Sequence, residues 1–286
     1  MAKCSWIKVN SACSPSIRFT VKSNDMRKFN ALIVTIALLI AGCSQYFSSR
    51  RNFHLYLLAG QSNMAGRGKV QEQDMQIHAR VYVLNQDNKW ELAKEPLHFD
   101  KPGIVGVGPG LAFGKTMAGY KKSVRIGLIP CAAGGSPISS WTKGGYHDQT
   151  KSHPYDVAIM RAKVAMKSGI LKGIIWHQGE SDSKPEQVKA YQAKLEELIA
   201  NFRRDLGDEN LPFVVGKLGN FYVERNPNAV SINEILERIS LTVKNTACVD
   251  VTGLTSKSDL THFNAQSARE LGKRYAEQMI KLERGE

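Results

Sequence analysis

The fold predicted for this chain is a three-layer α/β/α sandwich around a mostly parallel sheet of five or six strands. Three observations predict it. Short apolar runs rich in β-branched residues recur at 54–59, 80–85, 124–130, 173–177, 211–218 and 247–251. They are mostly continuous rather than alternating, as strands buried on both faces of a parallel sheet are. Helix-like stretches fall between them, near 109–119, 154–168, 185–205, 229–243 and 265–283. Strand–helix alternation of this kind gives a sheet covered on both sides. No repeat, low-complexity tract or Pro/Gly-rich linker interrupts the 286 residues, so one α/β domain accounts for the folded part.

The chain opens with an address. Residues 29–41 are mostly apolar and follow Arg27 and Lys28, and they end in small residues. A basic start, a short apolar core and a small-residue end describe a secretory signal peptide. The run is shorter than the roughly 20 residues that span a bilayer. It closes on Ile40-Ala41-Gly42-Cys43, which resembles a bacterial lipobox with Cys43 as the lipidated residue. Met26 stands immediately before Arg27. The expected organisation is therefore an upstream extension at 1–25, a signal peptide with lipobox at 26–43, a polar tether at 44–52 and the domain at 53–286. The expected location is the bacterial cell envelope, lipid-anchored on the periplasmic or surface side. Simple secretion and an uncleaved apolar anchor are the other readings of the same segment.

Charge adds little about partners. The formal net charge is +13, but residues 1–43 hold six Lys/Arg and one acid, and the remainder has 33 basic against 25 acidic residues, or +8. That excess is spread along the chain, and no nucleic-acid motif accompanies it. None of the five cysteines forms a CxxC pair, which argues against a zinc ribbon or a redox motif. Cys131 and Cys248 are expected to be buried thiols, with a disulfide as the alternative.

In open α/β sheets, ligands bind beyond the carboxyl ends of the strands. Candidate residues should therefore follow the apolar runs. After 54–59 comes Gly60-Gln61-Ser62-Asn63-Met64. A glycine there permits a sharp turn, and the serine behind it is placed as a nucleophile at the sheet edge. A serine capping the next helix gives the same pattern. The G-x-S-x-G elbow is absent, because Met64 stands where its second glycine belongs.

After 247–251 comes Asp259-Leu260-Thr261-His262. An acid three residues before a histidine can hold one ring nitrogen and leave the other for a nucleophile. A surface Asp/His pair at a helix start has the same spacing. The last helix should begin behind Asn264 as its N-cap and bury Ala268, Leu271, Tyr275 and Met279 as one stripe.

Two further loops supply groups for an oxyanion. Cys131-Ala132-Ala133-Gly134-Gly135-Ser136 follows 124–130, and Gln178-Gly179-Glu180-Ser181-Asp182 follows 173–177. Acyl transfer needs preorganised donors, commonly backbone N–H groups and a side-chain amide. Gly134 and Gly135 offer the first and Gln178 the second. His177 and Glu180 are only two metal-ligand types with no third placed by spacing, so no metal site is expected. Gly106-Val107-Gly108-Pro109-Gly110 lacks the Lys-Ser/Thr of a P-loop and should shape a pocket rim. Trp141 and Tyr146 lie near these loops and are candidates for stacking on a sugar, with apolar packing the alternative.

Taken in order, Gly60-Gln61-Ser62-Asn63-Met64, Gly134-Gly135-Ser136, His177-Gln178-Gly179-Glu180-Ser181-Asp182 and Asp259-Leu260-Thr261-His262-Phe263 resemble the motif blocks of the SGNH-hydrolase superfamily. The resemblance is to the branch with the sialate O-acetylesterase-like domain and the acetylxylan esterases of carbohydrate esterase family six, and it spans about 53–283. It implies a flavodoxin-like sandwich and removal of O-acetyl groups from carbohydrates without a cofactor. By position it implies Ser62 as nucleophile, His262 as base and Asp259 as its orienting acid. It implies an oxyanion hole of Ser62, Gly134 and Gln178. Glu180 is left to brace the loop or to compete with Asp259 for His262. A non-catalytic carbohydrate-binding lipoprotein and a short-chain lipase or thioesterase are the alternatives on the same fold.

Overall fold

The computed structural model describes residues 50–286. Cys43, the signal peptide and most of the tether lie outside the described residues.

The strands are β1 (Phe53–Gly60), β2 (Val81–Leu84), β3 (Trp90–Leu92), β4 (Arg125–Pro130), β5 (Ile170–His177), β6 (Phe213–Gly216) and β7 (Thr246–Val249). They form one sheet in the order β3-β2-β4-β1-β5-β6-β7. Every pairing is parallel except β2 with β3. The six strands read from the sequence are all present. The seventh, β3, is a three-residue antiparallel edge, too short and too mixed (Trp-Glu-Leu) to give a periodic signal. It pairs through a tight turn in which Asn88 has φ 59°.

Side-chain alternation along each strand fills two cores, which explains why the runs read as continuous. Leu55, Leu57 and Ala59 of β1 point to one side, while Tyr56 and Leu58 point to the other. The first side is covered by α4 (Pro154–Met166), α5 (Pro185–Leu206) and α7 (Ala229–Thr242), carrying Ala158, Leu195, Phe202 and Ile239. The second is covered by α3 (Gly110–Tyr120) and α8 (Ala265–Arg284), carrying Phe113, Met117, Leu271 and Met279. Ala268, Leu271, Tyr275 and Met279 are all buried, and the Asn264 side chain accepts from Ser267 N as the N-cap of α8. Among the described residues no helix is long and apolar enough to cross a membrane.

Among the described residues there are also three single-turn α-helices: α1 (Ser62–Ala65), α2 (Glu72–Met75) and α6 (Asn220–Val223). β1 lies between β4 and β5, so the loops after these three strands meet at one edge. Cys131 and Cys248 are free thiols. Burial pushes Cys131 up to about 11 and Cys248 up to about 12, so neither is a thiolate at neutral pH.

Candidate active site

β1 ends in Gly60, whose φ is +130°; a Cβ there would stand 2.2 Å from the carbonyl oxygen of His177 on the neighbouring strand. Only glycine lets β1 run this close to β5 and then turn. The turn becomes α1, in which Met64 N and Ala65 N both donate to the Gln61 carbonyl. The N–H groups of Ser62 and Asn63 open the helix and have no partner within it. The glycine loop at 106–110 braces this segment from behind. Gly106 N donates to the Gly66 carbonyl, and a Cβ on Gly108 would meet the Met64 carbonyl at 2.8 Å.

Ser62 and His262, 200 positions apart, meet here: Ser62 Oγ is 2.9 Å from His262 Nε2. His262 Nδ1 is 3.0 Å from Asp259 Oδ2. With a carboxylate against Nδ1, that nitrogen carries the proton and Nε2 accepts from the serine hydroxyl. Asp259 Oδ1 also accepts from the backbone N–H of Thr261 and His262. The turn that makes this possible puts Leu260 at φ 51°, a left-handed conformation costing a non-glycine residue on the order of 1–3 kcal/mol.

Burial works to raise the Asp259 carboxyl, but hydrogen bonds from the His262 ring and from the two N–H groups outweigh it and hold it well below the usual carboxylate range. For His262, burial lowers the pKa below 6.5. The Asp259 hydrogen bond and charge oppose that, and Arg67 and Lys257 add to the lowering. The imidazole is therefore neutral at neutral pH and free to take a proton.

The oxyanion loops differ from expectation in detail. Gln178 is fully buried, and its Nε2 donates to Gln61 Oε1 at 3.2 Å, Ser136 O at 3.1 Å and Asp182 Oδ2 at 2.5 Å. Its Oε1 accepts from Tyr191. An amide spent on three buried acceptors is not available to substrate, so Gln178 is a brace. The residue it braces is Gln61, which the sequence reading passed over. Gln61 Oε1 is held by Gln178 and by Ser181 N at 3.3 Å, and this leaves its Nε2 as the amide nitrogen without a partner among the described residues. Its position beside the serine was the only signal available.

Gly134 is likewise committed. Its N–H donates to Asp100 Oδ2 at 2.9 Å, and the same oxygen pairs with Arg67 Nη2 at 2.8 Å. A Cβ on Gly134 would come within 2.4 Å of that guanidinium, so the glycine is required by the ion pair packed against it. The Gly135 carbonyl accepts from Ser181 Oγ at 3.0 Å, tying the two loops together.

His177 and Glu180 do not converge. His177 Nδ1 is 3.0 Å from Tyr275 Oη, whereas Glu180 Oε1 accepts from Asn63 Nδ2 at 2.5 Å. Glu180 is thus not the partner of His262. Among the described residues no group of three or more His, Cys, Asp or Glu is placed to hold a metal ion.

Trp141 is corrected from sugar platform to core. It is buried edge-on against Trp176, centroids 4.9 Å apart, and its Nε1 donates to Ser136 Oγ. Tyr146 is exposed beside His153, 5.1 Å between centroids, and its neighbour His147 lies 3.2 Å from the Gly134 carbonyl.

A parallel α/β sandwich that lines up a hydroxyl, an imidazole and a carboxylate at its strand ends is the architecture of an ester hydrolase. The chain belongs to the SASA family, carbohydrate esterases described as sialic acid-specific acetylesterases, whose family model matches residues 52–281. It is 32% identical over 240 residues to the probable carbohydrate esterase At4g34215 of Arabidopsis thaliana, covering 76% of this chain and 86% of that protein. The X-ray structure of the Arabidopsis protein superposes with a TM-score of 0.72 at 31% identity, over 81% of this chain and 98% of that one. The crystal structure of NanS has the same fold, with a TM-score of 0.67 at 17% identity over 83% of this chain and 99% of NanS. So does XAC1771, a carbohydrate acetylesterase from Xanthomonas citri, with a TM-score of 0.63 at 20% identity over 81% of this chain and 57% of that one. The chain is accordingly an esterase of the carbohydrate acetylesterase class.

Proposed function

We propose that this chain removes O-acetyl groups from carbohydrate through an acetyl-enzyme formed on Ser62. The observation that carries the reading is the continuous line from Ser62 Oγ through His262 to Asp259, at 2.9 and 3.0 Å. Ser62 Oγ attacks the acetyl carbonyl as His262 Nε2 takes its proton, and Asp259 stabilises the imidazolium that forms. The Ser62 N–H and Gln61 Nε2 receive the oxyanion. The C–O bond to the sugar then breaks, and the sugar oxygen leaves with the proton from His262. Water, deprotonated by the same imidazole, attacks the acetyl-enzyme and releases acetate and free Ser62.

The family description favours acetylated sialic acid as substrate, and acetylated xylan is the second candidate. Exposed Tyr146 is the aromatic face offered to a sugar ring. The decisive experiment is acetate release from a panel of acetylated sialic acids, xylan and other glycans, together with fluorophosphonate labelling of Ser62. Release from one glycan class with labelling at Ser62 is expected. A folded protein that neither labels nor releases acetate is a binding module, and preference for octanoyl over acetyl esters makes it a lipase.

Attachment to a membrane through lipidated Cys43 belongs to the same proposal and rests on the sequence of residues 26–43. Mass spectrometry of the mature protein tests it, since any unmodified residue retained before Cys43 overturns it.

A further inference from the structure

His262 is well oriented within its own loop, but its own loop does not set its distance from Ser62. Asp259, the partner of its ring, lies on the same turn and is exposed, with Oδ1 and Oδ2 both engaged by residues 261 and 262. Something must dock that turn on the nucleophile. Among the described residues, the polar contacts between α1 and 259–263 run through two side chains only: Ser62 and its neighbour Asn63.

Asn63 grips the peptide chain on both sides of His262. Its Nδ2 donates to the carbonyl of Thr261 at 3.1 Å, and its Oδ1 accepts from the N–H of Phe263 at 3.1 Å. The same Nδ2 donates to Glu180 Oε1 at 2.5 Å. Asn63 is 4% exposed, so water does not substitute for these partners. All three demand one orientation of the amide. Turned over, Oδ1 would face a carboxylate and a carbonyl, and the NH2 would face an N–H. Of the three, the carboxylate makes the charge-assisted, stronger bond. Glu180 is itself anchored, since its backbone carbonyl accepts from Tyr222 Oη at 2.9 Å. Its Oε2 is buried without a partner among the described residues, so Asn63 is the side chain its carboxylate serves.

We infer that Asn63 is a positioning residue that sets His262 against Ser62, and that Glu180 acts through it by fixing which way the Asn63 amide faces. This rests on the serine mechanism proposed above. Burial raises the Glu180 carboxyl to about 7 against the opposing pull of Asn63. A perturbed acid bonded to the residue next to the nucleophile is a common feature of functional sites.

The test uses the whole protein and the variants Asn63→Ala, Asn63→Asp, Glu180→Leu and Glu180→Gln. Four quantities are read: kcat and KM for p-nitrophenyl acetate, the rate of fluorophosphonate labelling at Ser62, and the melting temperature. Misplacement of a reacting group by about 1 Å costs about 10²-fold. Asn63→Ala should therefore lose about that much kcat with KM little changed, and labelling should slow in step. Asn63→Asp should fare no better, because it removes the donor and sets a carboxylate against Glu180. Glu180→Leu should be impaired in the same way. Glu180→Gln should recover most of kcat, because its Oε1 still accepts from Asn63. Wild-type kcat and labelling in a folded Asn63 variant overturns the inference. Equal activity in the two Glu180 variants overturns the part given to Glu180. In the unaltered chain the Phe263 amide should exchange slowly with solvent deuterium, and fast exchange overturns the inference whether or not the variants fold. An unaltered chain that neither labels nor hydrolyses the ester instead overturns the proposed function.

Discussion

Gln178 donates its side-chain amide to Gln61 Oε1, 3.2 Å away, and that bond decides which of the two glutamines can meet a substrate. A buried amide with all its protons committed holds another in place, and the held one keeps its NH2 free. Gln61→Leu should therefore lower kcat for acetyl esters by about 10²–10³-fold, the usual cost of one oxyanion donor. Gln178→Leu should depress the melting temperature as well, because it strips partners from buried Asp182 and Ser136. Steady-state kinetics beside thermal melts separates the two. A Gln61 variant with unchanged kcat would remove it from the site.

The Ser62–His262–Asp259 line gives an ordered series. Ser62→Ala and His262→Ala should each abolish fluorophosphonate labelling and acetate release. Asp259→Asn should lose up to about 10⁴-fold, because an amide can hold the ring in the wrong tautomer. Near wild-type turnover by Ser62→Ala or His262→Ala contradicts the mechanism.

The pH profile should have an acid limb below 6.5. Burial, Arg67 and Lys257 lower the His262 pKa and only Asp259 raises it. The imidazole must be neutral to accept the serine proton, so kcat/KM falls as pH drops through that lowered value and is flat above it. A midpoint above 6.5 in kcat/KM against pH would mean that another group limits the rate.

Glu180 predicts a pH dependence of stability with the opposite sign to that of a salt-bridged acid. Its folded pKa, about 7, lies above the ordinary carboxyl value of 4.5. The folded state therefore binds the proton more tightly than the unfolded one, and this contribution is complete below about pH 4.5 and lost as pH rises through 7. Glu180→Gln should raise the melting temperature more at pH 8 than at pH 4. Equal shifts at both would show that the carboxyl does not titrate in this range.

Trp141 and Tyr146 should separate cleanly. Trp141→Ala empties a buried space against Trp176 and should cost about 3–5 kcal/mol in urea unfolding. Tyr146→Ala should leave stability nearly unchanged and raise KM for acetylated glycan more than for p-nitrophenyl acetate. An unchanged KM for every glycan takes Tyr146 out of the binding surface.

What the residues alone determined is what depends on local order. Six strands, five long helices and the edge at which their loops emerge were legible, because a strand buried on both faces must be apolar throughout and an amphipathic helix must repeat every three to four residues. The D-x-x-H spacing and the serine behind Gly60 were legible for the same reason. Only the tertiary structure decided which polar groups are left free. Gln61 and Gln178 carry the same amide, and Glu180 and Asp259 the same carboxylate, at the same sheet edge. Their roles differ by which buried partners come within hydrogen-bond distance, among them Ser136, Asp182, Tyr191 and Asn63, brought together from across the chain. A hydrogen bond satisfied by a residue 42 or 117 positions away leaves no periodicity in the sequence, so the division between donors that brace and donors that act appears only once the chain is folded.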